Sequence, residues 1–436
     1  MNQRKGRGLI IAAPASGSGK TVITLGLLRA LKEKRTDVGS IKIGPDYIDP
    51  AFHSCATGLP CRNIDPWSMR PETLHQQISS TGTALMIAEG VMGLFDGAVD
   101  GTGSTADAAA LLGWPVVLVI DVRGQSASAA AVVEGFARHR EDVTVGGVIF
   151  NRVGGERHQR MLEAAIAPTG IPCLGCVPRS SELDLPSRHL GLVQAREQSD
   201  IHSWVARAAA IVGNAVDLDR LADLATVPPP ATQKPVLAPL CPLGLHIAVA
   251  QDNAFAFAYP HILEGWKSAG ASITFFSPLA DDPVPTAAEG IYLPGGYPEL
   301  HAPVLNKNQT FLGSLRDAAR RGAAIYGECG GFMVLGETLT DENGDAHKMA
   351  GLLPVHTSFA ERKLHIGYRT MVTQQVSALG PAGQSFKGHE FHYASLSQTA
   401  GRPLFRAADA RGETGSLVGC VQGAVCGSFL HIIDAS

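Results

Sequence analysis

Short, nearly continuous apolar runs alternate with amphipathic stretches along this chain, and the alternation happens twice. In the first series the runs are 9–13, 38–43, 84–88, 116–120, 147–150 and 171–177, with helix-period stretches such as 22–31, 127–138 and 157–166 between several of them. A strand that is apolar on both sides needs cover on both faces, and crossover helices supply it. The pattern therefore predicts an α/β fold with a parallel sheet between helix layers. The second series has runs at 246–250, 273–276, 290–293 and 323–326, with a polar, mostly helical segment at 298–321. Between the series, residues 227–244 hold too many prolines for a central strand or helix and read as an extended linker. The chain thus divides into a domain at 1–226, the linker, and a domain at 245–436. From about Glu361 to Gly419 the runs shorten and turns multiply, which predicts antiparallel strands at a sheet edge.

Composition narrows the function classes. With 436 residues, 45 % apolar and 17 % charged, the chain is long and apolar enough for two or three packed cores. A net charge of −4 gives no support for a nucleic-acid partner. No apolar run reaches membrane-spanning length. The basic start at Met1–Arg7 leads into a short buried strand, not a signal peptide. Eight cysteines in a chain this long are too few for a disulfide scaffold and read as reduced cytosolic thiols. Cys173 and Cys176 form a lone C-x-x-C pair, read as buried thiols in and after a strand.

The first run ends in Pro14-Ala15-Ser16-Gly17-Ser18-Gly19-Lys20-Thr21. Glycines let backbone N–H groups face phosphate, a lysine reaches the β/γ-phosphates and a hydroxyl binds Mg²⁺. Gly17, Ser18, Gly19, Lys20 and Thr21 meet those needs after a strand and before a helix, although Pro14 stands where the first glycine belongs. Two acidic segments follow later strands: Lys42 to Pro50, with Asp46, Tyr47 and Asp49, and Glu89 to Gly97, with Asp96. Both lie at carboxyl ends of parallel strands, where open sheets bind ligands. Asp46 and Glu89 are the candidate metal carboxylates beside Thr21. Asn151, at another strand end, is a candidate for the adenine edge, with Pro178 and Arg179 as weaker lining residues.

In the second series a strand runs into Gly327-Glu328-Cys329-Gly330-Gly331, a strand-to-helix elbow carrying a cysteine. The helix N-terminus is expected to lower the thiol pKa. Gly330 and Gly296 are the candidate oxyanion N–H donors. A last strand, 424–431, delivers His431 as base for Cys329. The third member of such a site is open: Ile433 stands two residues after His431, and Asp434 reads as a surface residue. His389-Glu390-Phe391-His392 lacks H-E-x-x-H spacing and reads as strand, which puts its two histidines on opposite faces and argues against zinc.

Taken together, Ala15–Thr21, Gly44-Pro-Asp-Tyr-Ile-Asp-Pro50, Glu89-Gly-Val-Met-Gly-Leu-Phe-Asp96, Pro294-Gly-Gly-Tyr-Pro-Glu299, Tyr326–Gly331 and Gly388–Tyr393 resemble the cobyrinic or hydrogenobyrinic acid a,c-diamide synthases of corrinoid synthesis. The resemblance covers nearly the whole chain. It implies a dethiobiotin-synthetase-like phosphate-loop domain followed by a class I glutamine amidotransferase domain, in a cytoplasmic enzyme. It further implies ATP and Mg²⁺ as cofactors, glutamine and a corrin-type tetrapyrrole acid as substrates, and acyl phosphates as intermediates. Asp46, Tyr47 and Asp96 then fall between nucleotide and macrocycle. A homodimer fits the domain plan. Other tetrapyrrole acids, such as a nickel sirohydrochlorin, and the cobyric acid synthases share the chemistry, and whether the macrocycle carries cobalt stays open. A partition-type ATPase switch would need a second lysine early in the loop, where Ala15 stands, and would leave Cys329 unexplained.

Overall fold

The computed structural model describes residues 6–185, 187–188, 191–229, 238–398, 400–413 and 415–436. The chain forms two compact units: Met1–Trp67 with Leu74–Lys234, and Ser68–Thr73 with Pro235–Ser436. Residues 230–237 of the proline-rich stretch lie outside the described residues.

The first unit is built on seven strands: β1 (Arg7–Ala12), β2 (Val38–Ile43), β3 (Arg62–Ile64), β4 (Leu85–Glu89), β5 (Val116–Asp121), β6 (Val145–Val153) and β7 (Cys173–Pro178). They pair in the order β3-β2-β4-β1-β5-β6-β7, every pairing parallel. The apolar runs dictated this: β2 and β4 are buried along their whole length, so neither face can meet water. Truncating one such residue, for example Ile10→Ala in β1, removes about 2–5 kcal/mol. Because β1 lies between β4 and β5, the chain works outward on one side, then crosses back to the other. The carboxyl ends of β1, β2 and β4 therefore open onto one crevice. Helix α1 (Lys20–Glu33) begins there and packs on helix Ile201–Ala215.

In the second unit a six-stranded sheet runs in the order Ser272–Phe276, His246–Ala250, Gly290–Leu293, Ala324–Glu328, Val425–Ser428, Cys420–Gln422. The first five strands are parallel and the last is antiparallel. The polar segment before Ala324 is helical, as Ala302–Lys307 and Gln309–Arg320. Two expectations need correction. Apart from Cys420–Gln422, which closes the edge of this sheet, the late short strands lie in two other sheets. One is four-stranded, and the other runs Ser416–Val418, Phe405–Ala408, His365–Thr373, Ser385–His392, Leu430–Ala435, all antiparallel. The expected strand 424–431 is also split. Val425–Ser428 lies in the parallel sheet, and after Phe429 the chain enters the antiparallel one as Leu430–Ala435. An unbroken apolar run hides such a switch, because both halves are buried.

Candidate active sites

At the first crevice, Gly17 and Gly19 take left-handed φ values of 79° and 92°, which turns the loop back onto α1. Gly19 has no spare room either: a Cβ there would lie 2.2 Å from Nδ2 of Asn151. That amide donates to the Ser18 carbonyl at 2.9 Å, while Oδ1 accepts from the Arg152 N–H. Asn151 thus braces the phosphate loop. It also lines a cavity of about 240 Å³ with Gly19, Arg152, Pro178 and Arg179. The loop ends on α1 with no acidic residue in its first turn, so the helix N-terminus stays open to anions. Ser18 hydrogen-bonds the Ala15 carbonyl at 2.8 Å and tightens the turn.

Lys20 folds onto the Met92 carbonyl. Burial lowers its pKa to about 8, with Glu89 opposing. Beneath it sits a closed charge cluster. The Thr21 hydroxyl donates to Glu89 at 2.6 Å and lies 3.3 Å from Asp49. Lys42 contacts Asp49 and donates to Glu89 at 2.9 Å. Nε2 of His53 meets the other Glu89 oxygen at 2.7 Å, and the Cys61 sulfur lies 3.5 Å from its Nδ1. Burial opposes the charge on Glu89, but Lys42, His53 and Thr21 outweigh it and hold the carboxyl ionised well below its usual range. Burial also works against the Lys42 ammonium, and Asp49 and Glu89 overcome it to raise its pKa. For His53, Cys61 and Glu89 overcome burial and hold the pKa up at about 10. Asp49, crowded by burial and Asp46 against the pull of Lys42, is raised to about 7. Oδ1 of Asp46 is taken up by the backbone N–H groups of Ile48 and Asp49. The carboxylate facing Thr21 beside Glu89 is therefore that of Asp49. Tyr47 is half-buried on the same loop. Asp96 is exposed and accepts from the Gly93 N–H at 2.9 Å.

The second site is an elbow under strain. Cys329 sits at φ 46°, ψ −104° between strand Ala324–Glu328 and helix Gly330–Leu335. A side chain at left-handed φ is costly, and persists only where its surroundings enforce it. Here they do: the Cys329 N–H is held by the Ser428 carbonyl at 2.8 Å, and the Gly331 N–H by Pro294 at 3.1 Å. A Cβ on Gly331 would lie 1.9 Å from the Leu293 carbonyl oxygen, so only glycine lets the helix start this close. Gly295 is the meeting point of the site. A Cβ there would fall 2.4 Å from Cε1 and 3.1 Å from Nε2 of His431, and 3.3 Å from Cβ of Cys329. Gly296 and Gly330 adjoin it, the Gly296 nitrogen lying 3.0 Å from where a Gly330 Cβ would be. The thiol itself departs from expectation. Burial pushes its pKa up, the nearby Glu299 adds to this, and the Gly330 N–H offsets only part. A one-and-a-half-turn helix supplies too little dipole to win against complete burial.

Residues 9–193 match the CobQ/CobB/MinD/ParA nucleotide binding domain, and residues 246–436 match the CobB/CobQ-like glutamine amidotransferase domain. The hydrogenobyrinate a,c-diamide synthase of Brucella anthropi is 52 % identical over 98 % of this chain and 98 % of its own length. That of Brucella abortus is 53 % identical over 99 % of each, and that of Rhodobacter capsulatus 47 % identical over 98 % of each. The chain belongs to the hydrogenobyrinate a,c-diamide synthase family. An α/β nucleotide-binding half and an amidotransferase half, as read from the sequence, are therefore both present in this family member.

Sequence reasoning did not single out Lys42, Asp49, His53 or Glu328 in their present roles. Lys42 and Asp49 were in view as parts of a loop phrase, but only the fold shows that Asp49, three residues past Asp46, turns back onto Thr21. Asp434, read as exposed, is fully buried and pairs with Arg70 at 2.7 Å, within the same unit. All eight cysteines are free. No described helix is long and apolar enough to cross a membrane. His389 and His392 do lie on opposite faces of strand Ser385–His392. His392 clusters with His365 and Glu390, but the two rings stack at 4.7 Å and 4°. Imidazole binds a metal in its ring plane, and near-parallel planes share no such point.

Proposed function

We propose that this chain amidates the a- and c-acetate carboxylates of hydrogenobyrinic acid, drawing ammonia from glutamine and activating each carboxylate with ATP. The observation that carries the reading is one chain holding both an enclosed thiol–imidazole elbow and a phosphate loop backed by Thr21, Asp49, Glu89 and Lys42. The family relatives bear the name of this reaction over almost their full length. The oxygens of Thr21, Asp49 and Glu89 suit a hard divalent cation such as Mg²⁺, which when bound would neutralise phosphate charge. Asp46 is a further candidate for that group, behind Asp49.

In the amidotransferase unit, His431 takes the Cys329 proton and the thiolate attacks the glutamine carboxamide. N–H groups of Gly296 and Gly330 face the oxyanion. The imidazolium returns its proton to the leaving nitrogen, ammonia departs, and water hydrolyses the glutamyl thioester to glutamate. A buried thiol with a raised pKa makes this base indispensable. In the nucleotide unit, backbone N–H groups of Gly17–Thr21 cradle the phosphates and Lys20 reaches the γ-phosphoryl. Asn151 braces the loop, with its remaining hydrogen-bonding capacity available to the adenine edge. The substrate carboxylate takes the phosphoryl group, and ammonia then displaces phosphate to leave the amide. Tyr47 and Asp96 border this crevice as candidates for contacting the macrocycle.

The test is mass gain on hydrogenobyrinic and cobyrinic acids, in parallel, with ATP and glutamine. Two carboxylate-to-amide replacements on hydrogenobyrinic acid are expected. Conversion of the cobalt-containing acid alone would move the proposal to cobyrinic acid. No gain on either, with glutaminase intact, would retain the amidotransferase and send the acceptor to another tetrapyrrole acid.

A further inference from the structure

A histidine base is oriented by a third group, and the positions after His431 do not supply a carboxylate for that role. Ile433 is an apolar core residue, and Asp434 is bound to Arg70. The carboxylate comes from the other direction. Glu328, the residue before the nucleophile, is almost wholly enclosed, and its Oε2 lies 3.6 Å from Nδ1 of His431. Its remaining capacity is filled by donors: the Tyr292 hydroxyl at 2.6 Å, the Tyr326 hydroxyl at 2.9 Å and the Ile432 N–H at 3.0 Å. Among the described residues no lysine or arginine pairs with it. Cε1 and Nε2 of the His431 ring lie against Gly295, beside which Cβ of Cys329 also lies.

We infer that Glu328 is the positioning residue of the glutaminase site, holding the proton of His431 on Nδ1 so that Nε2 faces the thiol. The inference rests on the amidotransferase reading above. Three donors and no lysine or arginine meet the carboxylate, which leaves it placed to favour the imidazolium that forms when Cys329 loses its proton. Placement beside the nucleophile couples the two: the same strand end that strains Cys329 sets the carboxylate. The Ile432 N–H ties Glu328 to the strand carrying His431, so both partners are held by one hydrogen-bonded unit. Paired with His431 on the adjacent strand is a second titratable group, His389. Burial, then His431, lower the pKa of that ring to about 3, so it supplies no competing charge.

The experiment compares wild type, Glu328→Gln and Tyr292→Phe in the full chain. It reads glutaminase kcat, KM and pH profile, with ammonia-dependent amidation as the report on folding. For Glu328→Gln we expect kcat to fall about 100-fold or more with KM little changed, and the acidic limb of kcat/KM to move down by about one pH unit. Ammonia-dependent amidation should stay within two-fold. Tyr292→Phe frees Glu328 for His431 and should move the acidic limb the other way. Glutaminase within three-fold of wild type and an unmoved limb in Glu328→Gln would overturn the inference. So would an unmoved limb in Tyr292→Phe, if the glutamine variant fails to fold. Absence of glutaminase in the wild type would instead overturn the amidotransferase reading itself.

Discussion

At the phosphate crevice the fold pairs buried charges of both signs, while at the thiol elbow it keeps the nucleophile neutral and stores conformational strain. Lys42, Asp49, Glu89 and His53 are all buried and pair mainly with one another. Cys329 and His431 are equally buried, yet the thiol is driven toward its neutral form and the backbone beneath it is held at left-handed φ. In the proposed mechanism the first site receives a polyanion and a cation, and its paired charges are in place before ligand arrives. The second must, in that mechanism, create its thiolate and imidazolium during the reaction, so geometry is what it mainly prepares.

The sharpest break of this comparison separates the two chemistries. Cys329→Ala should abolish glutamine-dependent amidation, a loss of about 10³-fold or more, while synthesis with free ammonia survives. Lys20→Ala should abolish amidation with either nitrogen source and leave glutaminase measurable. Both are checked by parallel assays of glutamate release and amide formation. Failure of ammonia to rescue Cys329→Ala would mean that the elbow also shapes the synthetase site.

Next in size is the response to removing one charge. Lys42→Met leaves two buried carboxylates facing each other, which should cost about 3–5 kcal/mol of stability. Urea unfolding of the ligand-free protein, followed by tryptophan fluorescence, measures it. A change under about 1 kcal/mol would mean that the carboxylates take up protons instead. At the elbow the matching perturbation is steric. Gly295→Ala places a methyl where the His431 ring edge lies, and should lower glutaminase about 10-fold or more with little effect on ammonia-dependent synthesis. Equal loss of both activities would show that the substitution damages more than the thiol site.

Much of this was legible in the residues. Continuous apolar runs foretold parallel strands, and the glycine-rich loop and cysteine elbow carried their chemistry in local spacing. What was not legible depends on which distant residue meets which. Asp46 and Asp49 are chemically alike in one loop, and only the turn made by Asp46 onto the Ile48 and Asp49 N–H groups decides which of them faces Thr21. The elbow motif assigns Glu328 no role, because its partner His431 lies 103 residues on and arrives only after the chain has changed sheets at Phe429. The thiol pKa was misjudged for a related reason: the helix is visible in sequence, the completeness of burial is not.

The smallest effect concerns protons, and it separates the two regions by sign and window. His53 has its pKa raised from 6.5 to about 10. Its protonated form therefore stabilises the fold fully below about pH 6.5, and that contribution is lost as pH rises toward 10. The slope is at most about 1.4 kcal/mol per pH unit. Lys20, lowered from 10.5 to about 8, acts in the opposite sense: its contribution is present above 10.5 and lost as pH falls through 8. Between pH 6.5 and 8 His53 therefore acts without that opposition, and above 8 the two offset. Because Lys20 is common to both proteins, urea midpoints of wild type and His53→Gln, measured without nucleotide or magnesium, should differ in slope from pH 6.5 up to about 10 and run parallel above, while the wild-type slope itself flattens above pH 8. Cys329, with its pKa pushed upward from 9.0, should add nothing between pH 6.5 and 8, so Cys329→Ala should track the wild-type slope in that window. Parallel slopes for His53→Gln across the whole range would show that the imidazole is neutral in the fold, and that Lys42 alone balances Glu89 and Asp49.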